Sequence, residues 1–548
     1  MKKSFIKIIA GIFCAGMLVA CEADLDFKPE TQVSDPSFWN TARDFELYAN
    51  NFYLDLPGLP AGRDADTAFG NSNNNVSSGT NLAPENDGNW GNAYARIRKA
   101  TYLVEKAEEK ADLDVKRYVA EAKFFRAYWY YNLVRLFGDV PLVTKVLSTG
   151  SEELYLPRTT RTDVIDFALQ DLEYAVANLP ERSDLKASEL GRVTKGAANA
   201  LMAKVALFEG TWSKYHGGAK TDERLNVAKS AAATVINSGE YALYNSSGDE
   251  SFRRLFLAEG DDNSLGKKTE SIFHRRYWEE VSTHGYSNSN QANFSATRKM
   301  VDMFLCADGL PIDKSPMFKG YGTFTSEFED RDPRCSQSIV KVGDETWTHQ
   351  GSYVYQAEPQ LFYWGKTGYR VWKMQGEGQP RMDYKEFNDH HIIRYAEVLL
   401  IYAEATYELA GTISDADLDK SINVLRDRVG MPHLTNGFVQ TNGLDMLTEI
   451  RRERTVELAF EGERLEDLKR WKTAVDELSK PIAGIQYENS EWKGIIPFAD
   501  LAADGIDANG FVIFQQASER KFSDKNYLFP VPTQQIQLNP ELTQNPGW

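Results

Sequence analysis

The chain has 548 residues, of which 12% are aromatic and 26% charged, with a formal net charge of −17. That acidity excludes a general nucleic-acid binder, because phosphate backbones need a cationic footprint. The length exceeds that of an ordinary single domain, yet no obvious long linker divides it.

Lys2, Lys3 and Lys7 precede a short apolar run at residues 8–20, IIAGIFCAGMLVA. A spanning helix needs about 20 apolar residues, so this run has instead the size and flanks of a secretory signal peptide. Leu18-Val19-Ala20-Cys21 resembles a bacterial lipobox, in which Cys21 is acylated and becomes the new N-terminus. The alternative is an ordinary signal peptide cut after Ala20, leaving Cys21 a free thiol. Removal of residues 1–20 takes three lysines away and moves the formal charge from −17 to −20. No later stretch is long and apolar enough to cross a membrane. Cys306 and Cys335 either pair or stay free, and no CxxC or metal-type cysteine spacing is present.

Residues 62–94 form a polar, Gly/Asn-rich stretch carrying Asp64, Asp66, Asn73 and Trp90. This is the composition of a sugar site, where an aromatic face stacks on the ring and polar groups bond its hydroxyls. Trp90 could equally be a buried anchor at the start of a helix around Tyr94–Ala107. From Tyr118, the positions Tyr118, Ala122, Phe125, Trp129, Leu133 and Leu136 mark one helical face, ended by Gly138 and Pro141. A second helix is predicted from near Thr162, as N-cap, to Pro180. A third runs from Thr194 to Gly210, and a fourth over about 223–238. Ala198, Ala203 and Ala206 permit close helix approach, and the succession reads as a tetratricopeptide-like array with a degenerate repeat.

Residues 240–390 are loop-rich, and long loops on a helical frame commonly carry function. Trp278, Tyr286, Trp347, Arg370 and Trp372 are the binding candidates there. Helical patterning returns at 394–410, 421–430 and from Met446, where Gly462 is placed to end the helix. The charges of Glu453, Arg454, Glu457, Glu461 and Arg464 are expected to pair along it. The final segment, 476–548, has few helical signals and is expected to wrap over the scaffold.

No enzyme constellation stands out. The seven histidines make no H-E-x-x-H, and adjacent His390 and His391 cannot share one helix face as zinc ligands. There is no P-loop and no G-x-S-x-G, and Gly376-Glu377-Gly378 lacks a third glycine. Counting carboxylates does not reveal a glycosidase pair, which is a matter of separation. No catalytic residue, metal or cofactor is predicted.

Four stretches resemble signatures of the SusD/RagB family of outer-membrane nutrient-binding lipoproteins. They are EAKFFRAYWYYNLVRLFGDVPLV (121–143), IIRYAEVLLIYAEA (392–405), ERTVELAFEGERLEDLKRW (453–471) and YLFPVPTQQIQLNPELTQNPGW (527–548). Glu22, Asp24 and Asp26 after Cys21 are similar to a surface-export signal. The resemblance implies a mainly α fold: a tetratricopeptide-like helical scaffold with long irregular loops and few short strands. It implies one domain over 21–548, helical over about 35–240, loop-rich and ligand-binding over about 241–390, and helical and wrapping over about 391–548. It further implies a non-enzymatic, lipid-anchored protein at the exterior face of the outer membrane. Such a protein would capture oligo- or polysaccharide for a SusC-like TonB-dependent transporter. Peptide capture, a structural subunit without its own ligand, and a hydrolase are the alternatives.

Overall fold

The computed structural model describes residues 38–60, 65–261, 269–287, 294–348, 351–355, 366–378 and 383–548. Cys21, the apolar run before it and Asp64 lie outside these. The fold is mainly helical. Its first half holds α1 (Ala42–Leu54), α2 (Gly88–Glu109), α3 (Lys116–Phe137), α4 (Arg161–Asn178), α5 (Lys195–His216) and α6 (Thr221–Asn237). After these come the short helices α7 (Ser251–Arg254) and α8 (Pro333–Ser338), then α9 (Tyr395–Ala410), α10 (Ile422–Arg428), α11 (Met446–Glu457) and α12 (Arg464–Arg470). From α2 to α6 each helix packs on the next, and α9 closes the array against α6.

The caps explain where the predicted boundaries move. The N-cap of α4 is Thr160 rather than Thr162, because the Thr160 hydroxyl accepts from Asp163 N–H at 3.2 Å and donates to its carboxylate at 2.7 Å. Helix α5 runs through Gly210 to His216. A Cβ at Gly210 would stand 2.9 Å from Leu225 Cγ, so this glycine serves the close approach of α6. The true terminator is Gly217, at φ 83°. Helix α11 ends at Glu457, before Gly462, which at φ 88° turns the chain into α12.

Nine short strands make four antiparallel sheets among the described residues. Strands β1 (Ala68–Gly70) and β3 (Phe294–Ala296) pair, as do β2 (Ser271–Arg275) and β6 (His390–Arg394), and β4 (Glu345–Thr348) and β5 (Gly351–Val354). In the fourth, β9 (Phe511–Gln515) lies between β7 (Ile482–Gln486) and β8 (Gly505–Ile506). Phe273 of β2 packs edge-on against Phe124 of α3 at 5.0 Å, joining the irregular middle of the chain to the helices. That middle has a core of its own around Met300, Phe304, Ile339, Tyr369 and Phe514. Several of its aromatics are therefore spent on packing rather than on a ligand. Cys306 and Cys335 are both buried and unpaired, and burial pushes the Cys335 thiol up to about 12.

The charges of the 453–464 stretch pair across the fold rather than along α11. Glu453 faces Arg334 and Arg426, and Glu457 faces Arg334, Arg394 and Arg428. Glu461 faces Lys373 and Arg394, and Arg464 grips Asp66 with two bonds of 2.8 Å. The C-terminal Gln-Asn-Pro-Gly-Trp is a packed terminus. Gln544 exchanges hydrogen bonds with the Val531 backbone, Asn545 donates to the Phe137 and Phe529 carbonyls, and Trp548 Nε1 donates to the Lys525 carbonyl at 2.9 Å.

These ion pairs make stability acid-sensitive. Burial alone would raise the carboxyls of Glu404 and Glu461, but Arg470 beside the first and Arg394 with Lys373 beside the second hold both at about 2. Their contribution is complete above the ordinary glutamate value of 4.5 and is lost as pH falls from there toward 2. Each is worth roughly 3 kcal/mol, at about 1.4 kcal/mol per pH unit of displacement. Glu121, whose carboxyl burial raises, acts in the opposite sense and only above 4.5. Urea midpoints are therefore expected to fall steeply between pH 4.5 and pH 3, and a flat profile there would contradict the assignment.

Candidate functional site

The loop-rich middle of the chain opens into two adjoining clefts of about 570 and 360 Å³ that share Arg254, Trp347 and Glu377. Trp347 stands on β4 of the β4–β5 hairpin, and Trp372 follows the single bridge between Ile339 and Val371. Trp372 is fixed by its N–H, which donates to the Ser338 carbonyl of α8 at 2.7 Å. Both rings are half-buried and line the larger cleft.

Helix α7 supplies the polar wall. Arg253 is buried, with its guanidinium 3.8 Å from the centre of the Trp372 ring. It donates to Glu377 Oε1 at 2.7 Å and to the Gln375 carbonyl at 2.9 Å. Arg254 donates to Glu250 at 2.9 Å, to Glu259 at 3.3 Å and to Glu377 Oε2 at 3.2 Å. Glu377 thus clamps both arginines and fixes the ridge between the clefts. Burial lowers the Arg253 guanidinium from its usual range, opposed by Glu377, but arginine stays charged at any relevant pH. At Gly376 a Cβ would stand 2.6 Å from Glu386 Oε1, so a larger residue there would have to displace that carboxylate. Opposite, Lys341 and Asp344 pair at 2.7 Å on the rim of the larger cleft.

Half-buried indole faces with fixed carboxylates and guanidiniums around them form a surface that accepts and donates hydrogen bonds about an apolar platform. That combination suits a ligand with an apolar face and a hydroxyl rim. Among the described residues, no group of three His, Cys, Asp or Glu side chains is disposed to hold a metal ion. His390 and His391 are buried on β6 and bond the Pro57 carbonyl and Ser271 with Leu255 respectively.

Of the sequence candidates, Trp347 and Trp372 meet in this cleft. Arg370 does not reach it as a contact: it is fully buried and supports Trp347 from behind, donating to its carbonyl at 3.2 Å. Tyr286 is 8% exposed and donates to the Pro60 carbonyl at 2.7 Å, packed with Leu255, Phe256 and Met374. Trp90 is a core anchor on α2, 4% exposed and edge-on to Phe137 at 5.1 Å. Asp66 is consumed by Arg464, because a buried carboxylate must be paired. Asn73 is exposed on a separate loop, and Trp278 is exposed at a distinct surface. Arg253, Arg254 and Glu377 were not singled out from the sequence. Their signal was the Arg-Arg pair inside an apolar turn, and a glutamate between two glycines that fitted no phosphate motif.

Comparison with known proteins agrees with this architecture. A profile described as the SusD family matches residues 257–548, and one described as starch-binding associating with outer membrane matches residues 61–207. The SusD-like protein P2 of Formosa agariphila is 27% identical over the full length of both chains. The crystal structure of a SusD-like carbohydrate binding protein from Bacteroides fragilis is 25% identical, with a TM-score of 0.75 over 92% of this chain and 100% of that one. A second SusD-like protein from the same organism is 24% identical, with a TM-score of 0.73 over 94% of this chain and 99% of that one. With one profile spanning more than half of its residues, the chain belongs to the SusD family.

Proposed function

We propose that this protein captures oligosaccharide at the cell surface and hands it to a SusC-like TonB-dependent transporter, without cleaving a bond. The observation that carries the reading is the cleft in which Trp347 and Trp372 flank the Arg253–Glu377–Arg254 clamp. The carbohydrate-binding description of the B. fragilis relative supports the ligand class, and the starch-binding and outer-membrane wording of the second profile supports the setting. Lipidation at Cys21, outside the described residues, would hold the protein at the membrane, each buried methylene contributing about 0.8 kcal/mol. The single domain over 21–548 belongs to the same proposal.

Electrophoresis of the full chain in detergent through gels containing plant, microbial and host polysaccharides tests the reading. Retardation by one class of glycan is expected, and unchanged mobility across the whole panel would count against it. A second reading, capture of peptides, draws on the cleft's charge: Asp249, Glu250, Lys341, Asp344 and Glu345 join the clamp around only two indoles. A mixed peptide pool competing with the retarding glycan would favour that reading.

A further inference from the structure

A third cleft, of about 310 Å³, opens beside Trp278 and shares no lining residue with the two already described. Its walls bring together three guanidiniums, Arg192, Arg275 and Arg276. On a chain of net charge −17 they form a local concentration of positive charge. Two carboxylates face it directly, and the charge of Glu46 acts on Arg192 as well. Glu121 accepts two bonds from Arg192, at 3.0 and 2.9 Å, and Asp389 lies 3.6 Å from Arg276. Arg275 donates to the Leu56 carbonyl at 2.6 Å and has no carboxylate partner among the described residues. Asp261, which accepts from the Asp389 N–H at 2.8 Å, has its carboxyl pushed up to about 8 by burial and by the Asp389 charge.

The second observation is His274. It lines the same cleft, is 4% exposed, and neither ring nitrogen has a hydrogen-bond partner among the described residues. Its Nε2 is 3.7 Å from the Asp389 carboxylate and 3.7 Å from where a Cβ on Gly191, another lining residue, would stand. A buried polar group without a partner is costly, and a polar ligand atom entering the cleft would relieve it.

Against Arg276 of the lining stands Trp278, 57% exposed, with the guanidinium 5.5 Å from its ring centre. Its backbone pairs with Ser282, which lines the cleft, so the indole is tied to the rim. Leu54, also lining, is 75% exposed. An aromatic platform beside a cationic hollow suits a sugar ring that carries an anionic group.

We propose that this cleft is a second glycan subsite, taking a sugar with an anionic oxygen group, either a carboxylate or a sulfate ester. The ring lies on Trp278 while the anion faces Arg275, Arg276 and His274. The proposal rests on the glycan-capture reading for its ligand class, but it uses none of the residues of the first cleft.

Calorimetric titration of the full chain in detergent tests it with three probes: trigalacturonate, its fully methyl-esterified form, and a sulfated galactan trisaccharide. At least one anionic probe is expected to bind, with the ester about tenfold or more weaker, the scale of losing one charged hydrogen bond. Which anionic probe binds identifies carboxylate or sulfate. Arg276→Gln and the surface change Trp278→Ala should each weaken the anionic probe by about tenfold, whereas Trp347→Ala should leave it unchanged. Measurable and equal affinity for the acid and its ester, or silence with both anionic probes, would overturn the subsite. Neutral-glycan capture lost in Trp347→Ala without any anionic binding would leave the first cleft's function standing and remove this one. The reverse pattern would support this subsite alone.

Discussion

Glu457→Gln is expected to lower the stability of the fold by about 3–5 kcal/mol, the scale on which a buried charge left without its partner destabilises a protein. Glu457 is fully buried, and its carboxylate accepts from Arg334 at 3.0 Å, Arg394 at 2.7 Å and Arg428 at 2.6 and 2.8 Å. Burial by itself would raise its carboxyl, but those three arginines and Lys373 hold it well below the usual carboxylate range. Around it, Arg334, Arg394, Arg426, Arg428 and Lys373 face Asp332, Glu270, Glu453, Glu457 and Glu461, so the buried charges balance. Glutamine keeps the shape and removes one negative charge, leaving an uncompensated cation inside. The network ties α8, α10 and α11 to β6, whose His391 bonds the Leu255 carbonyl next to α7, the polar wall of the proposed glycan cleft. The loss should therefore appear both as a lower urea midpoint and as weaker ligand binding. An unchanged midpoint would mean that the network is better hydrated than its burial implies.

Trp347→Ala should weaken oligosaccharide binding by roughly 10- to 100-fold while leaving the urea midpoint nearly unchanged. One large side chain withdrawn from water on binding contributes about 1.5–3 kcal/mol, and about 1.4 kcal/mol is a factor of ten. The half-buried indole lines both adjoining clefts, so its removal strips the shared wall, whereas Arg370 and the hairpin backbone that carry it remain. Trp372→Ala should cost binding as well, but it also uncovers the Arg253 guanidinium packed on it at 3.8 Å. Calorimetry of the variant against the glycan that retards the parent chain measures the loss. Undiminished affinity would place the ligand elsewhere.

The helices were legible because their apolar positions recur at three and four, and because Gly138 sits where a helix must stop. Helix spacing alone does not reveal what a residue touches across the fold. Gly210 looked like a terminator because a glycine that permits close packing and one that ends a helix are the same letter. The charges of 453–464 suggested pairing along a helix, since i,i+4 neighbours are visible in sequence and the arginines of β6 and α10 are not. Asp66 shows the same limit: in a Gly/Asn-rich loop an aspartate facing solvent is indistinguishable from one paired with an arginine 398 residues away. Trp90 was open to a better reading. Trp90, Ala93, Ile97, Ala100 and Val104 step by three and four along α2, which marks the indole as core. Trp347 and Trp372 stood out for the opposite reason, as aromatics in polar, irregular company without a helical period. Their meeting depends on the Ile339–Val371 bridge, a long-range pairing that no local pattern announces.

On the proposed reading, the cleft between Trp347 and Trp372 holds the sugar. A crystal structure of the full chain grown with the retarding oligosaccharide tests it most directly. The expected density is a sugar ring stacked on Trp347 or Trp372, with hydroxyls within hydrogen-bond distance of Glu377 or Arg254. Density for the same oligosaccharide at another surface, with this cleft empty, would contradict the account.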